Sequence, residues 1–423
     1  MERFADMAAY LWGRLPLILL FANAYLAYRL LAVTGLTTAF VRRVLWLAGG
    51  PRGRGGLPGL LLLLMLAAAL LSFFIPNAVT MLTLLPALTE LERELREKTG
   101  AHMATPLALA AIYGANIGGM GSLVGSPANL LFIGAVDFFN VPGREQIGFA
   151  NWFFWSLPLV ALFLLAGWTL LALFALPRGV RLTPGDIPEP RELTPWQRSG
   201  GALFVLFLCF WTASSVASEV WPSWHRLEPA VAAGFFCWFV FLAFFRAGTP
   251  CQGTSAPLLR LREVFSGLPR RGLLFLGLLG LLALAVKAFH LDTASVAWLK
   301  GLDSQAAPRF AVIFCMVLAV ILLTELLSNT VVSAAFFPVA YAVAQAHGIS
   351  PLALMLAVSL ASTCAFMTPV ATPCNALAFG EMRGVSLRRM LGLGLVLNLA
   401  GAVLMSVWVA WVIPLVYSWG GHP

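Results

Sequence analysis

The chain has 423 residues, of which 60% are hydrophobic and 11% are charged, and its mean hydropathy is +0.88. So few charged side chains cannot cover a water-soluble protein of this length, and several apolar runs approach the length of about 20 residues that crosses a bilayer. The composition therefore excludes the soluble classes and predicts an all-α polytopic membrane protein. The net charge of +9 then indicates positive cytoplasmic loops and not a nucleic-acid surface.

The first half, residues 1–177, is predicted to form one structural repeat. Pro76 and Asn77 interrupt a long apolar run, and a proline removes a helical hydrogen bond, so two short helices should meet there as a re-entrant hairpin. Irregular backbone at membrane depth is tolerated only beside protein or a water-filled cavity. The predicted elements are a span at 16–36, a hairpin at 58–92 that opens inward, a broken helix at 105–139 and a span at 152–177.

A polar, proline-rich stretch at 178–200 is predicted to be a cytoplasmic linker, and residues 201–423 a second repeat. This half begins with two spans that have no counterpart in the first half, so either the chain is naturally short or its start is truncated. The predicted elements are spans at 201–217, 229–245 and 272–291, a hairpin at 309–346 that opens outward, a broken helix at 351–380 and a span at 391–417.

The distribution of basic residues predicts which side of the membrane each loop faces. The loops on one side hold 19 of the 27 basic residues, and an excess of Lys and Arg marks the cytoplasmic side. With this orientation the two hairpins open to opposite sides, so the repeats are expected to be inverted.

Two polar motifs occur twice in the same order. Asn77 and Asn329 each lie nine residues before a proline, and Asn329 stands inside the triplet Ser328-Asn329-Thr330. A second motif follows each asparagine and reads small residue, hydroxyl, proline, any residue, asparagine: Gly125-Ser126-Pro127-Ala128-Asn129 and Ala371-Thr372-Pro373-Cys374-Asn375. Interrupted apolar segments at matching places in two halves are typical of transporter binding sites.

The residue types at these interruptions indicate ion chemistry. Freed backbone carbonyls and the amide oxygen of Asn77 or Asn329 suit a small dehydrated cation, and helix N-termini suit an anion. The alternative for each asparagine is a simple cap on a kink, which the paired spacing disfavours. Glu325 is interpreted as a structural acid, with a role in proton or cation coupling as the alternative. No convergent His, Asp or Glu constellation indicates an enzyme, an organic cofactor or a metal cluster.

At these motifs, and over nearly the whole chain from about residue 16, the sequence resembles the divalent anion:sodium symporter family. The resemblance implies two sodium ions, a homodimer and an elevator mechanism. It implies Ser72, Asn77 and Gly125 around one sodium ion, and Thr324, Asn329 and Ala371 around the other. It implies that the substrate meets Asn77, Ser126, Pro127, Ser328, Asn329, Thr330, Thr372 and Pro373. The chain departs from the family pattern at its first triplet, which reads Pro76-Asn77-Ala78.

These observations favour a sodium-coupled secondary transporter of a small divalent anion, a di- or tricarboxylate or sulfate, in the inner or plasma membrane. One alternative is a proton-linked antiporter or a metalloid exporter of the same superfamily. Another is a non-transporting membrane subunit on this fold, because the first triplet lacks two hydroxyl groups.

Overall fold

A computed structural model describes residues 2–49, 56–177, 192–221, 223–245, 247–248, 256–266 and 308–418. The predicted span 272–291 and most of the predicted linker lie outside these ranges. The helices are α1 (Glu2–Thr34), α2 (Leu36–Gly49), α3 (Gly56–Ser72), α4 (Asn77–Thr99), α5 (Ala104–Gly118), α6 (Pro127–Phe138), α7 (Phe149–Phe174), α8 (Pro195–Val220), α9 (Trp224–Phe245), α10 (Leu261–Ser266), α11 (Arg309–Thr324), α12 (Asn329–His347), α13 (Pro351–Ala361), α14 (Pro373–Glu381), α15 (Leu387–Val407) and α16 (Ile413–Ser418). A 3-10 turn (Arg144–Gln146) precedes α7, a π-helical turn (Trp408–Val412) joins α15 to α16, and strands β1 (Ala247–Gly248) and β2 (Ala256–Pro257) pair antiparallel.

By length and composition, five of the described helices can cross a membrane, and six if α1 and α2, which are bent by 71°, count as one span. Their outer faces are apolar: in α7, Phe154 and Leu173 are 75% and 68% exposed. Large apolar side chains exposed along whole helices are stable in lipid and not in water. The all-α polytopic class predicted from the composition is therefore confirmed.

The chain packs as two compact units, which divide it differently from the two repeats predicted from the sequence. The first unit contains α1, α8, α9 and α10. Gly35 ends α1 with a φ of 66°, a left-handed conformation that glycine adopts without strain. α8 packs closely on α1 at Gly200, where a Cβ atom would lie 2.8 Å from Thr34 Cγ2.

The start of α8 differs from the prediction, because the helix begins at Pro195, inside the predicted linker 178–200. Thr194 Oγ1 accepts from the Gln197 N–H at 3.2 Å, and Gln197 Oε1 accepts from the Thr194 N–H at 3.1 Å. This capping box, with a proline at the first helical position, starts the helix six residues before the predicted span.

Within its described residues, the second unit contains four helix breaks, which lie beside the polar motifs of the sequence. They separate α3 from α4, α5 from α6, α11 from α12, and α13 from α14. The first hairpin is longer than the predicted 58–92, because α4 continues through a charged segment to Thr99 and ends at Gly100 with a φ of 68°. The charged residues of this segment extend the helix beyond its apolar part.

The packing inside the second unit brings the four breaks together. α3 lies against α5 at two glycines: a Cβ atom on Gly114 would lie 2.5 Å from the Met65 carbonyl oxygen, and one on Gly118 would lie 2.5 Å from Ala69 Cα. Small residues four apart allow this close helix contact. Across the halves, α4 packs on α14 and α12 packs on α6. Each hairpin therefore lies against the broken helix of the other half.

Candidate functional site

The first predicted ion site is organised around Asn77, the first residue of α4. The Ser72 hydroxyl donates to Asn77 Oδ1 across the break, and Asn77 Nδ2 donates to Asn116 Oδ1 at 3.0 Å. Ser72 is fully buried, whereas Asn77 is partly exposed. The two hydrogen bonds fix the plane of the Asn77 amide and the direction of its oxygen.

Several oxygen atoms converge beside Asn77 because two glycines leave space for them. A Cβ atom on Gly125 would lie 2.8 Å from the Gly119 carbonyl oxygen and 2.9 Å from the Ser72 carbonyl oxygen. One on Gly119 would lie 3.1 Å from Asn77 Oδ1 and 3.4 Å from the Gly125 carbonyl oxygen. Carbonyl and amide oxygens are the ligands of hard cations. The structure thus brings together the predicted residues Ser72, Asn77 and Gly125 in a form that fits a small cation.

The second predicted ion site has the same construction. The Thr324 hydroxyl donates to Asn329 Oδ1 at 2.8 Å, with the Ser362 carbonyl oxygen at 2.9 Å as an alternative acceptor. Thr324 is fully buried at the end of α11, and the partly exposed Asn329 begins α12. Ala371 is 2% exposed and lies in the break between α13 and α14. The hydroxyl-to-amide contact between residues five apart therefore occurs once in each half.

The breaks in the broken helices are closed by two equivalent asparagines. Asn129 Nδ2 donates to the carbonyl oxygens of Gly119 and Ser122 at 3.1 and 2.8 Å. Asn375 Nδ2 donates to those of Ala365 and Thr368, both at 2.9 Å. The second group lies 246 residues after the first at all three positions: Ala365 after Gly119, Thr368 after Ser122, and Asn375 after Asn129. The asparagine of the second sequence motif therefore binds backbone carbonyl oxygens in each half and fixes the shape of the loop that contains Gly125 or Ala371.

The predicted substrate-contacting hydroxyls lie at helix N-termini. Ser126 Oγ accepts from the Ala128 N–H, Ser328 Oγ from the Val331 N–H, and Thr372 Oγ1 from the Asn375 N–H. Pro127 and Pro373 occupy the first positions of α6 and α14 and are exposed, as is Ser328, whereas Thr330 is partly exposed. The three hydroxyls are N-caps that start these helices, and in α6 and α14 a proline at the first helical position reinforces the start.

Glu325 is 3% exposed and binds the loop between α13 and α14. Its Oε1 accepts from the backbone N–H groups of Phe366 and Met367 at 2.7 and 2.8 Å, and its Oε2 from that of Thr368 at 2.8 Å. Asn398 Nδ2 is a fourth donor, 2.7 Å from Oε1. All four partners donate, which is the bonding pattern of a carboxylate anion. This geometry supports the structural interpretation of Glu325 over a role as proton carrier.

The first half has no acid at this position. Phe73 lies 252 residues before Glu325, the same separation as between Ser72 and Thr324. The backbone at these two positions nevertheless makes the same contact. The Phe73 carbonyl oxygen accepts from the Ser122 hydroxyl, and the Glu325 carbonyl oxygen accepts from the Thr368 hydroxyl. The second loop therefore depends on a buried carboxylate, whereas the first is held by backbone turns and by Trp152 Nε1, which donates to the Met120 carbonyl oxygen.

The sequence does not predict the buried contacts of Asn116 and Asn398, and it identifies Asn129 and Asn375 only as the last residues of the second motif. Asn116 is fully buried in α5 and contacts both Asn77 and Asn375, and Asn398 is 1% exposed in α15. A lone amide in an otherwise apolar helix was the available signal, because a polar side chain at this depth requires a partner.

A polytopic helical protein whose interrupted helices meet at buried polar groups has the architecture of a membrane transporter. The chain belongs to the citrate transporter family, whose model matches residues 4–325 and 304–418. Membership confirms the resemblance found in the motifs. It makes the chain a multi-pass transporter of the plasma membrane and not an enzyme.

Individual relatives and a solved structure agree with this family. The chain is 26% identical over 416 residues to the sodium-dependent dicarboxylate transporter SdcS of Staphylococcus saprophyticus, covering 94% of this chain and 76% of that protein. It is 27% identical over 377 residues to SdcS of Staphylococcus aureus, covering 84% and 69%. The crystal structure of the Alcanivorax borkumensis YdaH transporter, described as having an unusual topology, superposes with a TM-score of 0.61 at 15% identity, covering 96% of this chain and 89% of that one. At that identity the likeness concerns the fold alone.

Proposed function

We propose that the chain is a secondary active transporter that couples the uptake of a small di- or tricarboxylate to sodium ions. The names of the SdcS relatives and of the matched family support carboxylates as the substrate class and sodium as the co-substrate. The observation that carries the proposal is the duplicated hydroxyl-to-amide contact, Ser72 to Asn77 and Thr324 to Asn329, each beside a loop of a broken helix. Each contact defines one proposed sodium site.

The electrostatics of the breaks supports coupling of an anion to cations. The segments 72–80, 116–130, 324–332 and 362–376 contain no Lys and no Arg. Within these segments, positive charge can come only from bound cations and from the N-termini of α4, α6, α12 and α14. A divalent anion would therefore bind between two sodium ions that balance its charge. The exposed positions at these N-termini, Pro127, Ser328 and Pro373, would contact its carboxylates.

The packing also supports a movement of the site as one body. Hairpin α3–α4 and broken helix α5–α6 contact α12 and α14 of the other half, and hydrogen bonds join them at Asn116 and at Ser359, whose hydroxyl donates to Asn129 Oδ1 at 2.9 Å. We propose that the two hairpins and the two broken helices, α3–α6 and α11–α14, form the moving body of an elevator mechanism and that the two halves are inverted repeats. A homodimer is proposed on the family resemblance.

Uptake of labelled succinate and citrate into proteoliposomes, with and without an inward sodium gradient, tests the proposal. Sodium-driven accumulation of either anion is the expected result. Absence of uptake by folded protein would contradict carboxylate symport, and sulfate and arsenite under a pH gradient would then test the antiporter and exporter alternatives.

A further inference from the structure

A single buried amide connects the two proposed ion sites. Asn116 is completely buried in α5 and lies between Asn77 at the first hairpin and Asn375 in the second broken helix. Its Oδ1 accepts from Asn77 Nδ2 at 3.0 Å. Its Nδ2 donates to the Ala365 carbonyl oxygen at 2.7 Å and to Asn375 Oδ1 at 3.1 Å. The amide oxygen of Asn116 is therefore hydrogen-bonded to the first half of the chain, and its amide nitrogen to the second half.

The contacts on either side extend this link to the ion ligands themselves. Ser72 donates to Asn77, and Thr372 donates to Asn375 Oδ1 at 2.9 Å. A continuous series of side-chain hydrogen bonds thus runs from the first proposed sodium site to the residue next to Ala371 in the second. Buried networks of this kind polarise one another, so a change at one end alters the strength of the bonds at the other.

The corresponding link in the other direction is made by different residues. Asn116 lies 246 residues before Ser362, the separation that relates the two broken-helix loops. The Ser362 hydroxyl donates to the Ser359 carbonyl oxygen of its own helix at 2.8 Å and not to a residue of the first half. The Ser359 hydroxyl instead donates to Asn129 Oδ1 at 2.9 Å, so side-chain hydrogen bonds join the halves in both directions. What distinguishes Asn116 is that it also contacts the amide of a proposed ion site, Asn77.

We propose that Asn116 is a positioning residue that couples the two sodium sites, an inference that rests on the proposed function. A cation that engages Asn77 Oδ1 polarises the Asn77 amide and so strengthens the hydrogen bond from its Nδ2 to Asn116. Asn116 then holds Ala365 and Asn375, which shape the loop that carries Ala371. Occupation of the first site therefore raises the affinity of the second, and by reciprocity occupation of the second raises that of the first.

The test measures sodium binding apart from transport. Thermal unfolding of the purified protein is followed during a sodium titration without substrate, for the wild type and for Asn116→Ala. We expect a Hill coefficient clearly above one in the wild type and close to one in the variant, with an apparent sodium affinity about tenfold weaker, within the usual range of coupling between sites. Asn23→Ala is the matched control, because Asn23 is also a buried asparagine but lies in α1 of the first unit.

Asn116→Ser is the second variant in case the alanine variant does not fold, since a serine hydroxyl is too short to hold Asn77 and Asn375 together. A wild-type Hill coefficient of one, or an unchanged coefficient in both variants, would overturn the coupling. If the wild type showed neither sodium-dependent stabilisation nor sodium-driven uptake, the proposed function itself would fail. Cooperative sodium binding that persists in Asn116→Ala would leave the proposed function intact and refute only the role of Asn116.

Discussion

The hydroxyl of Thr324 and the amide oxygen of Asn329 lie 2.8 Å apart across the break between α11 and α12. Ser72 and Asn77 make the same contact across the break between α3 and α4. In each pair a fully buried hydroxyl at the end of one helix orients a partly exposed amide at the start of the next. The oxygen of that amide is held in place before any ion arrives, which lowers the cost of ordering the site on binding.

Replacing Asn329 by alanine should abolish sodium-coupled uptake while the protein still folds. The change removes the amide oxygen that Thr324 orients, and a partly exposed position tolerates the loss of volume. Labelled-succinate uptake and the Tm of the purified variant check both parts. Gln345→Ala is the matched control, since Gln345 is an exposed amide near the other end of the same helix. Normal uptake by Asn329→Ala would remove Asn329 from the site.

Removing either orienting hydroxyl should weaken sodium binding. Ser72→Ala and Thr324→Ala each delete one hydrogen bond to the site amide, and a net loss of about 1 kcal/mol corresponds to a several-fold weaker apparent sodium affinity. The sodium dependence of uptake measures this effect. Thr324→Ser keeps the hydroxyl and should restore most of the affinity; a serine variant as weak as the alanine variant would speak against the hydrogen bond as the cause.

A methyl group on Gly125 should close the first ion site. In Gly125→Ala the new Cβ would lie within 3 Å of two carbonyl oxygens, so backbone would have to move. We expect sodium-dependent stabilisation and uptake to fall at least tenfold. Gly134→Ala, on the helix that follows, places its Cβ in open space and should be neutral or stabilising by up to about 1 kcal/mol. Equal behaviour of the two alanine variants would contradict the assignment of Gly125.

Glu325→Gln should lower stability rather than change the coupling ion. Four donors face the Glu325 carboxylate, and an amide in its place turns one acceptor into a donor that opposes an N–H group. The expected cost is about 2 kcal/mol, seen as a lower Tm, whereas uptake by folded protein stays sodium-driven. Glu97→Gln, at an exposed acid of α4, should leave the Tm unchanged. A Glu325→Gln protein of normal stability that had lost coupling would revive the proton-linked alternative.

The sequence was sufficient to locate all four helix breaks, because proline, glycine and N-capping residues act locally and leave a local signal. It was not sufficient to find the contacts of Asn116, whose partners Ala365 and Asn375 lie 249 and 259 residues away. Only the packing of α5 beside α14 brings them together. The start of α8 was missed for a different reason, since Thr194 and Gln197 form a local capping box that a proline-rich stretch concealed.

The packing of helices from one half on helices of the other, α4 on α14 and α12 on α6, affects folding during synthesis of the chain. Asn116 is synthesised 249 residues before Ala365, and at about 5–20 residues per second this interval lasts roughly 12–50 s. During that interval the polar breaks of the first half have been produced, but their partners have not. Nascent chains that end before residue 365 should therefore depend on the insertion machinery or on water to solvate Asn77 and Asn116, and should be preferred substrates of membrane quality-control proteases.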